Sequence, residues 1–160
     1  MNLIELEYLA TELGARLQQQ GWYLVTAESC TGGLLAEAVT AIAGSSVWFD
    51  RGFVTYSNAA KQEILGVHHE TLTKYGAVSE QTALEMVKGA LAHSQAQVGV
   101  SITGIAGPSG ATPNKPVGTV WIAYAFPNNT YAQHNYFTGD RTGIRKQAVI
   151  TALQRLLQGL

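Results

Sequence analysis

The sequence predicts an α/β fold: a three-layer α/β/α sandwich built on one mixed, mostly parallel sheet. Three observations predict it. Segments with helical hydrophobic spacing alternate with short β-branched runs along most of the chain. A helix between successive strands gives parallel pairing and covers both sheet faces. The run "QVGVSITG", 97–104, alternates Val98, Val100 and Ile102 with small residues, as a buried central strand with room for a helix above it would. Finally, "VGTVWIAYAF", 117–126, and the more polar 131–138 are separated only by a short turn at Asn128–Asn129, so this pair is antiparallel and its second member lies at or near an edge. With 160 residues, 46% of them apolar, and no internal repeat, residues 1–160 read as a single domain with a sizeable core.

The elements follow in order. Leu3, Leu6, Leu9, Leu13 and Leu17 predict an amphipathic helix over 2–20, ended by Gly21. "WYLVTA", 22–27, is an aromatic and β-branched run and predicts a strand. Leu35, Val39 and Ile42 share one face, so a helix starts inside "CTGG" and stops near Gly44. "GFVTYS", 52–57, predicts a second strand, and Asn58 an N-cap for a helix running to Leu65 and closed by Gly66. A helix from Ser79 turns Leu84, Val87 and Leu91 to the core. After the strand pair, Asp140 caps a long final helix carrying Ile144, Ala148, Ala152 and Leu156.

Charge and cysteine usage exclude several functions. A net charge of -1 and only 10 Lys and Arg, scattered along the chain, argue against a nucleic-acid partner. The single cysteine, Cys30, forms no intrachain disulfide. No run approaches the ~20 apolar residues that cross a bilayer, so no membrane partner and a cytoplasmic location are expected. His68, His69, His93 and His134 show no metal-ligand spacing, and no metal is expected.

In such a fold, sites gather where strands run into helix N-termini. Segments 28–33, 57–61 and 103–116 have that position and should converge. In "TAESCTGG", 26–33, the glycines allow close approach and a helix start supplies free amides for a phosphate or an oxyanion. The spacing fits neither a P-loop nor a nucleophile elbow. Taken alone, such a stretch is more often a plain structural cap than a catalytic site, and locally Ser29, Cys30 and Thr31 are all possible nucleophiles. None of the histidines follows a converging loop, which argues against a Ser-His-Asp arrangement. In "TYSNAAK", 55–61, Lys61 stands in the first turn of a helix, where the dipole disfavours a cation. It is either a solvated surface lysine or a desolvated, neutral general base for Ser29, oriented by Tyr56 or Asn58. The Gly- and Pro-rich loop 103–119 is long enough to be functional rather than a linker. Arg141 and Arg145, four apart, face the same way; each suits a carboxylate, a phosphate or a surface ion pair.

"AESCTGG", "GSSVWFDRGFVTYSNAAK", "YGAVSE", "SITGIAGP", "KPVGTVWIA" and "FTGDRTGIR", in that order, resemble the C-terminal domain of the CinA (competence and damage-inducible) family over nearly the whole chain. Nothing in the sequence matches the molybdopterin-binding-like domain of longer members, so the stand-alone form is expected. The resemblance implies an α/β/α sandwich that hydrolyses the carboxamide of nicotinamide mononucleotide to nicotinate mononucleotide and ammonia, without a cofactor and as a homodimer. It implies a Ser-Lys dyad in which Ser29 matches the family serine, Lys61 the lysine and Tyr56 the tyrosine. On this basis the amides of Thr31, Gly32 and Gly33 are expected at the oxyanion, Asn58 at the substrate, and Thr103, Gly104 and Arg145 at the phosphate. The alternative is a paralogue that binds a nucleotide for regulation without turnover. Where family members often read Gly-Gly, this chain has Gly110–Ala111, so a glycine-only conformation at 111 would displace the loop.

Overall fold

The structure, a computed structural model, describes residues 3–160; residue 2, the expected start of the first helix, lies outside the described residues. Helix α1 (Leu3–Gln20) leads into strand β1 (Leu24–Glu28), helix α2 (Leu34–Thr40) and, past a 3-10 turn, strand β2 (Phe49–Val54). Helices α3 (Asn58–Leu65), α4 (His69–Tyr75) and α5 (Glu80–Ala92) follow, then strands β3 (Val98–Gly104), β4 (Thr119–Phe126) and β5 (Asn129–Tyr136), and helix α6 (Arg141–Gly159).

The five strands form one sheet in the order β2-β1-β3-β4-β5. β1 is parallel to both β2 and β3, whereas β4 is antiparallel to β3 and β5. Four of the five strands therefore point the same way, and their C-terminal ends share one edge of the sandwich. Side-chain alternation sorts the layers. Leu24, Val98, Val100, Ile102, Val120, Ile122 and Tyr124 pack under α1, α2 and α6. On the opposite face Val25 and Ala27 pack against Leu65, Leu72, Met86 and Ala90 of α3, α4 and α5.

β3 shows why small residues alternate with branched ones. A Cβ at Gly99 would lie 3.0 Å from Val87 Cγ2, and Ser101 Oγ donates to the Ala83 carbonyl at 2.6 Å. Helix α5 thus rests directly on β3. Its fully buried residues are Thr82, Ala83, Met86, Val87 and Ala90; of the three expected core residues only Val87 is fully buried, while Leu84 and Leu91 pack at the margin toward β4 and β5.

Several boundaries differ from the sequence expectation. β2 begins at Phe49 rather than residue 52, because pairing with β1 (Leu24 to Phe49, Glu28 to Val54) fixes the register and an edge strand tolerates Asp50 and Arg51. β4 starts at Thr119, and Phe126 pairs with Asn129, so the turn residues are Pro127 and Asn128. The N-cap of α3 is Ser57, whose hydroxyl accepts from the Ala60 amide at 3.0 Å, and Asn58 is already helical. Asp140 caps α6 as expected, accepting from the Gly143 amide at 2.8 Å. Helix α4 was not foreseen. It buries only Leu72, and its start is held by Glu85 of α5, which accepts from the His68 amide at 2.8 Å and the Thr71 hydroxyl at 2.6 Å.

Candidate active site

The three segments expected to converge do so. A cavity of about 290 Å³ at the C-terminal edge of β1 and β3 is lined by Ser29, Cys30, Tyr56, Asn58, Lys61, Thr103, Gly104 and residues 105–107, 109 and 110. Ala77 and Val78, between α4 and α5, close one side, and Arg141 closes another. No histidine is among the lining residues.

Ser29 follows the last residue of β1, and its amide donates to the Ile102 carbonyl, so the parallel ladder with β3 fixes its backbone. The chain then turns sharply. The Gly32 amide returns to the Ser29 carbonyl at 3.0 Å, and Gly33 (φ 104°) adopts a left-handed conformation that only glycine takes without strain. Directly before the turn, Glu28 is fully buried. Its carboxylate accepts from the Thr31 hydroxyl (2.6 Å) and from the amides of Leu35 (2.9 Å) and Ala36 (3.1 Å) at the start of α2. A carboxylate on free helix amides is a charge-assisted arrangement favoured by the helix dipole. Removing it strands two buried donors and a third, the Ala36 amide, that is partly buried. Glu28→Ala is therefore expected to lower unfolding free energy by about 3 kcal/mol, measured by urea denaturation.

Lys61 reaches the turn from α3. It is 1% exposed, and its Nζ lies 2.9 Å from Ser29 Oγ and 3.1 Å from each of the Thr55 and Tyr56 carbonyls. Burial lowers its pKa from the usual 10.5. The neutral amine suits this environment. Nζ donates to the Ser29 hydroxyl, which itself donates to the Tyr56 carbonyl at 3.4 Å; a neutral amine can serve the two carbonyls with its N–H groups and offer its lone pair to the serine proton. Such a pair can pass a proton from oxygen to nitrogen.

The two neighbours of Ser29 stand differently. Burial pushes the Cys30 thiol up to about 11, so it stays protonated near neutral pH. The Thr31 hydroxyl is held by Glu28. Of these three side chains, Ser29 alone meets the lysine amine.

The remaining expected site residues divide into two groups. Asn58, Thr103, Gly104 and Tyr56 line the cavity. Thr103 Oγ1 is engaged with the Ala77 carbonyl at 2.8 Å, and Gly104 continues the β3–β4 ladder opposite Val120. The Tyr56 side chain is 62% exposed; its hydroxyl accepts from Arg141 at 3.3 Å, while Lys61 is met by its main-chain carbonyl. Thr31, Gly32, Gly33 and Arg145 do not line the cavity. Arg145 instead donates from Nε to the Cys30 carbonyl and from Nη2 to the Thr31 carbonyl, both at 3.0 Å.

Arg141 is the arginine at the cavity, whereas the sequence expectation placed Arg145 there. It donates to the Gly107 carbonyl at 2.8 Å, tying α6 to the loop. That loop accommodates Ala111, since among the described residues only glycines have a positive φ. Among the described residues, no three His, Cys, Asp or Glu side chains cluster as metal ligands. No helix among them is long and apolar enough to cross a membrane.

Known proteins share this chain and this architecture. It is 54% identical to nicotinamide-nucleotide amidohydrolase PncC of Enterobacter agglomerans, over 99% of this chain and 97% of that protein. With the protein of the same name from Escherichia coli (strain K12) it is 51% identical, over 96% and 94% of the two chains. The crystal structure of the competence/damage inducible protein CihA from Agrobacterium tumefaciens superposes with a TM-score of 0.93 at 50% identity, covering 96% of this chain and 94% of that one. The family model described as CinA C-terminal domain matches residues 6–160, and the chain belongs to that family.

Proposed function

We propose that this protein hydrolyses the carboxamide of nicotinamide mononucleotide, giving nicotinate mononucleotide and ammonia, with Ser29 as nucleophile and Lys61 as general base. The observation that carries the reading is the 2.9 Å contact between a buried lysine amine and a serine hydroxyl at the floor of a cavity. The relatives named as nicotinamide-nucleotide amidohydrolases supply the substrate.

In the first half-reaction Lys61 takes the Ser29 proton as Oγ attacks the amide carbon. The Gly32 amide is already committed to the Ser29 carbonyl, and of residues 30–33 only Cys30 lines the cavity, so the Cys30 amide is the turn's donor to the oxyanion. One well-placed donor contributes about 3 kcal/mol to the transition state. The C–N bond then breaks, the Lys61 ammonium protonates the leaving NH₂ group, and ammonia departs from an ester on Ser29. Water attacks that ester, Lys61 accepts its proton, and the proton returns to Ser29 with release of the nicotinate. The acid formed at the carbonyl gives its proton to ammonia in solution, so nicotinate and ammonium result and protons and charge balance over the cycle without a cofactor.

Tyr56 and Asn58 stand at the substrate-facing wall, with Thr103 and Gly104 beside them. The phosphate falls to Arg141, Ser109 and the non-proline amides of the 106–110 loop, the cationic end of the cavity. The reading includes the cytoplasmic, homodimeric enzyme that the family resemblance implies.

The test is direct. Purified protein with nicotinamide mononucleotide should release ammonia and nicotinate mononucleotide in equal amounts, followed by a coupled ammonia assay and by chromatography. Binding of the nucleotide with no ammonia release would replace this reading with a non-catalytic nucleotide-binding regulator. Equal efficiency on the riboside lacking phosphate would remove Arg141 and its loop from substrate recognition.

A further inference from the structure

Arg145 is half-buried, lies outside the cavity, and directs its guanidinium at the back of the turn that carries Ser29. Its two bonds fall on consecutive peptide groups. Nε meets the carbonyl of the Cys30–Thr31 peptide, and Nη2 meets that of the Thr31–Gly32 peptide, both at 3.0 Å. In a trans peptide the N–H points opposite to the C=O. Anchoring the first carbonyl therefore turns the Thr31 N–H away from the arginine. Anchoring the second fixes the Gly32 N–H, which closes the turn on the Ser29 carbonyl at 3.0 Å.

The guanidinium also occupies the space behind Gly32. A Cβ there would lie 3.3 Å from Nη2, so the glycine admits the arginine as well as the left-handed turn. On the opposite side the Glu28 carboxylate holds Thr31 and the start of α2. Arg141, one helical turn earlier, meets the cavity instead through Gly107 and Tyr56.

We propose that Arg145 is a positioning residue for the reaction: it holds the Ser29 turn in register from behind, and it does not bind the substrate's phosphate. Lysine cannot replace it, because a single ammonium lacks the planar fork that meets two carbonyls at once. The inference rests on the amidohydrolase reading, and the two fail differently. An inactive wild type ends the reading; the outcomes below concern Arg145 in an active one.

Steady-state kinetics of Arg145→Lys and Arg145→Ala with nicotinamide mononucleotide test it. A misplacement of about 1 Å at reacting groups costs on the order of 10²-fold in rate. Both variants should lose kcat by roughly that factor, with KM within about threefold of wild type, and added guanidinium should restore part of the kcat of Arg145→Ala. Calorimetric titration of nucleotide into Ser29→Ala with and without Arg145→Ala should give the same Kd within about threefold. Should Arg145→Ala fail to fold, Arg145→Lys and its Kd in the Ser29→Ala background carry the test alone. A larger rise in KM or Kd, with or without loss of kcat, assigns Arg145 to the substrate and overturns the proposal. So does an unchanged kcat.

Discussion

Replacing Lys61 with methionine is expected to reduce ammonia release from nicotinamide mononucleotide by at least about 10³-fold while leaving the protein folded. A positioned general base is worth about 10²–10⁴ in rate, and nucleophile and base act as one unit. Ser29→Ala should therefore cause a loss of the same order, and the double variant should be no worse than the poorer single one. The fold survives because Lys61 is costly where it stands. Its amine is buried, desolvation disfavours its charged form, and methionine fills the same channel without that penalty. The Thr55 and Tyr56 carbonyls lose a donor in exchange, which offsets part of the gain.

The pH dependence follows from the same displaced titration. Catalysis needs the neutral amine, so kcat/KM should rise with pH through the lowered Lys61 pKa, on an ascending limb below 10.5. Stability has the same sign. Between the lowered folded value and 10.5 the unfolded chain binds more protons than the native one, so unfolding free energy from this group increases with pH. In Lys61→Met both slopes should vanish. An ascending limb that persists in the residual activity of the variant would assign the titration to another group and end Lys61's role as base.

Much of this site was legible in the sequence because local chemistry and topology agree there. The small residues of β3 are small because α5 lies on them, and that alternation predicts both the strand and its covered face. The glycines of the Ser29 turn and the lysine in the first turn of α3 violate local preference, and such violations mark positions where another constraint rules. What escaped has non-local causes. Helix α4 takes its cap from Glu85 and buries one side chain, so its own seven residues carry no period. Ser57 and Asn58 are both good caps by type, and the choice falls to the point where β2 leaves the sheet. Arg141 and Arg145 share a helix face, yet one turn of α6 separates the cavity wall from the back of the Ser29 turn. Sequence spacing gives the shared face; only the packed loop 105–110 decides which arginine reaches the cavity.

Gly89→Ala should destabilise the protein by about 2 kcal/mol, read from denaturant midpoints, although alanine is the better helix former. Helix propensity alone favours the change by about 1 kcal/mol. The opposing effect is steric. A Cβ at Gly89 would lie 1.9 Å from the Leu65 carbonyl oxygen, 2.7 Å from its carbon and 3.0 Å from its Cα. These are backbone atoms, so no rotamer relieves the clash, and α5 must move away from the C-terminal end of α3. Overpacking of this kind costs 1–3 kcal/mol, occasionally more, and here it exceeds the propensity gain. The displacement also reaches the chemistry. Lys61 belongs to the same two-turn helix as Leu65, and its amine meets Ser29 over 2.9 Å. The residual folded protein should therefore also lose activity, with kcat falling more than KM rises. Lys88→Ala, at the exposed neighbouring position, should change neither stability nor rate appreciably. If Gly89→Ala matches wild type in both measurements, α3 is not held by this close backbone approach, and the placement of Lys61 must come from its three polar contacts alone.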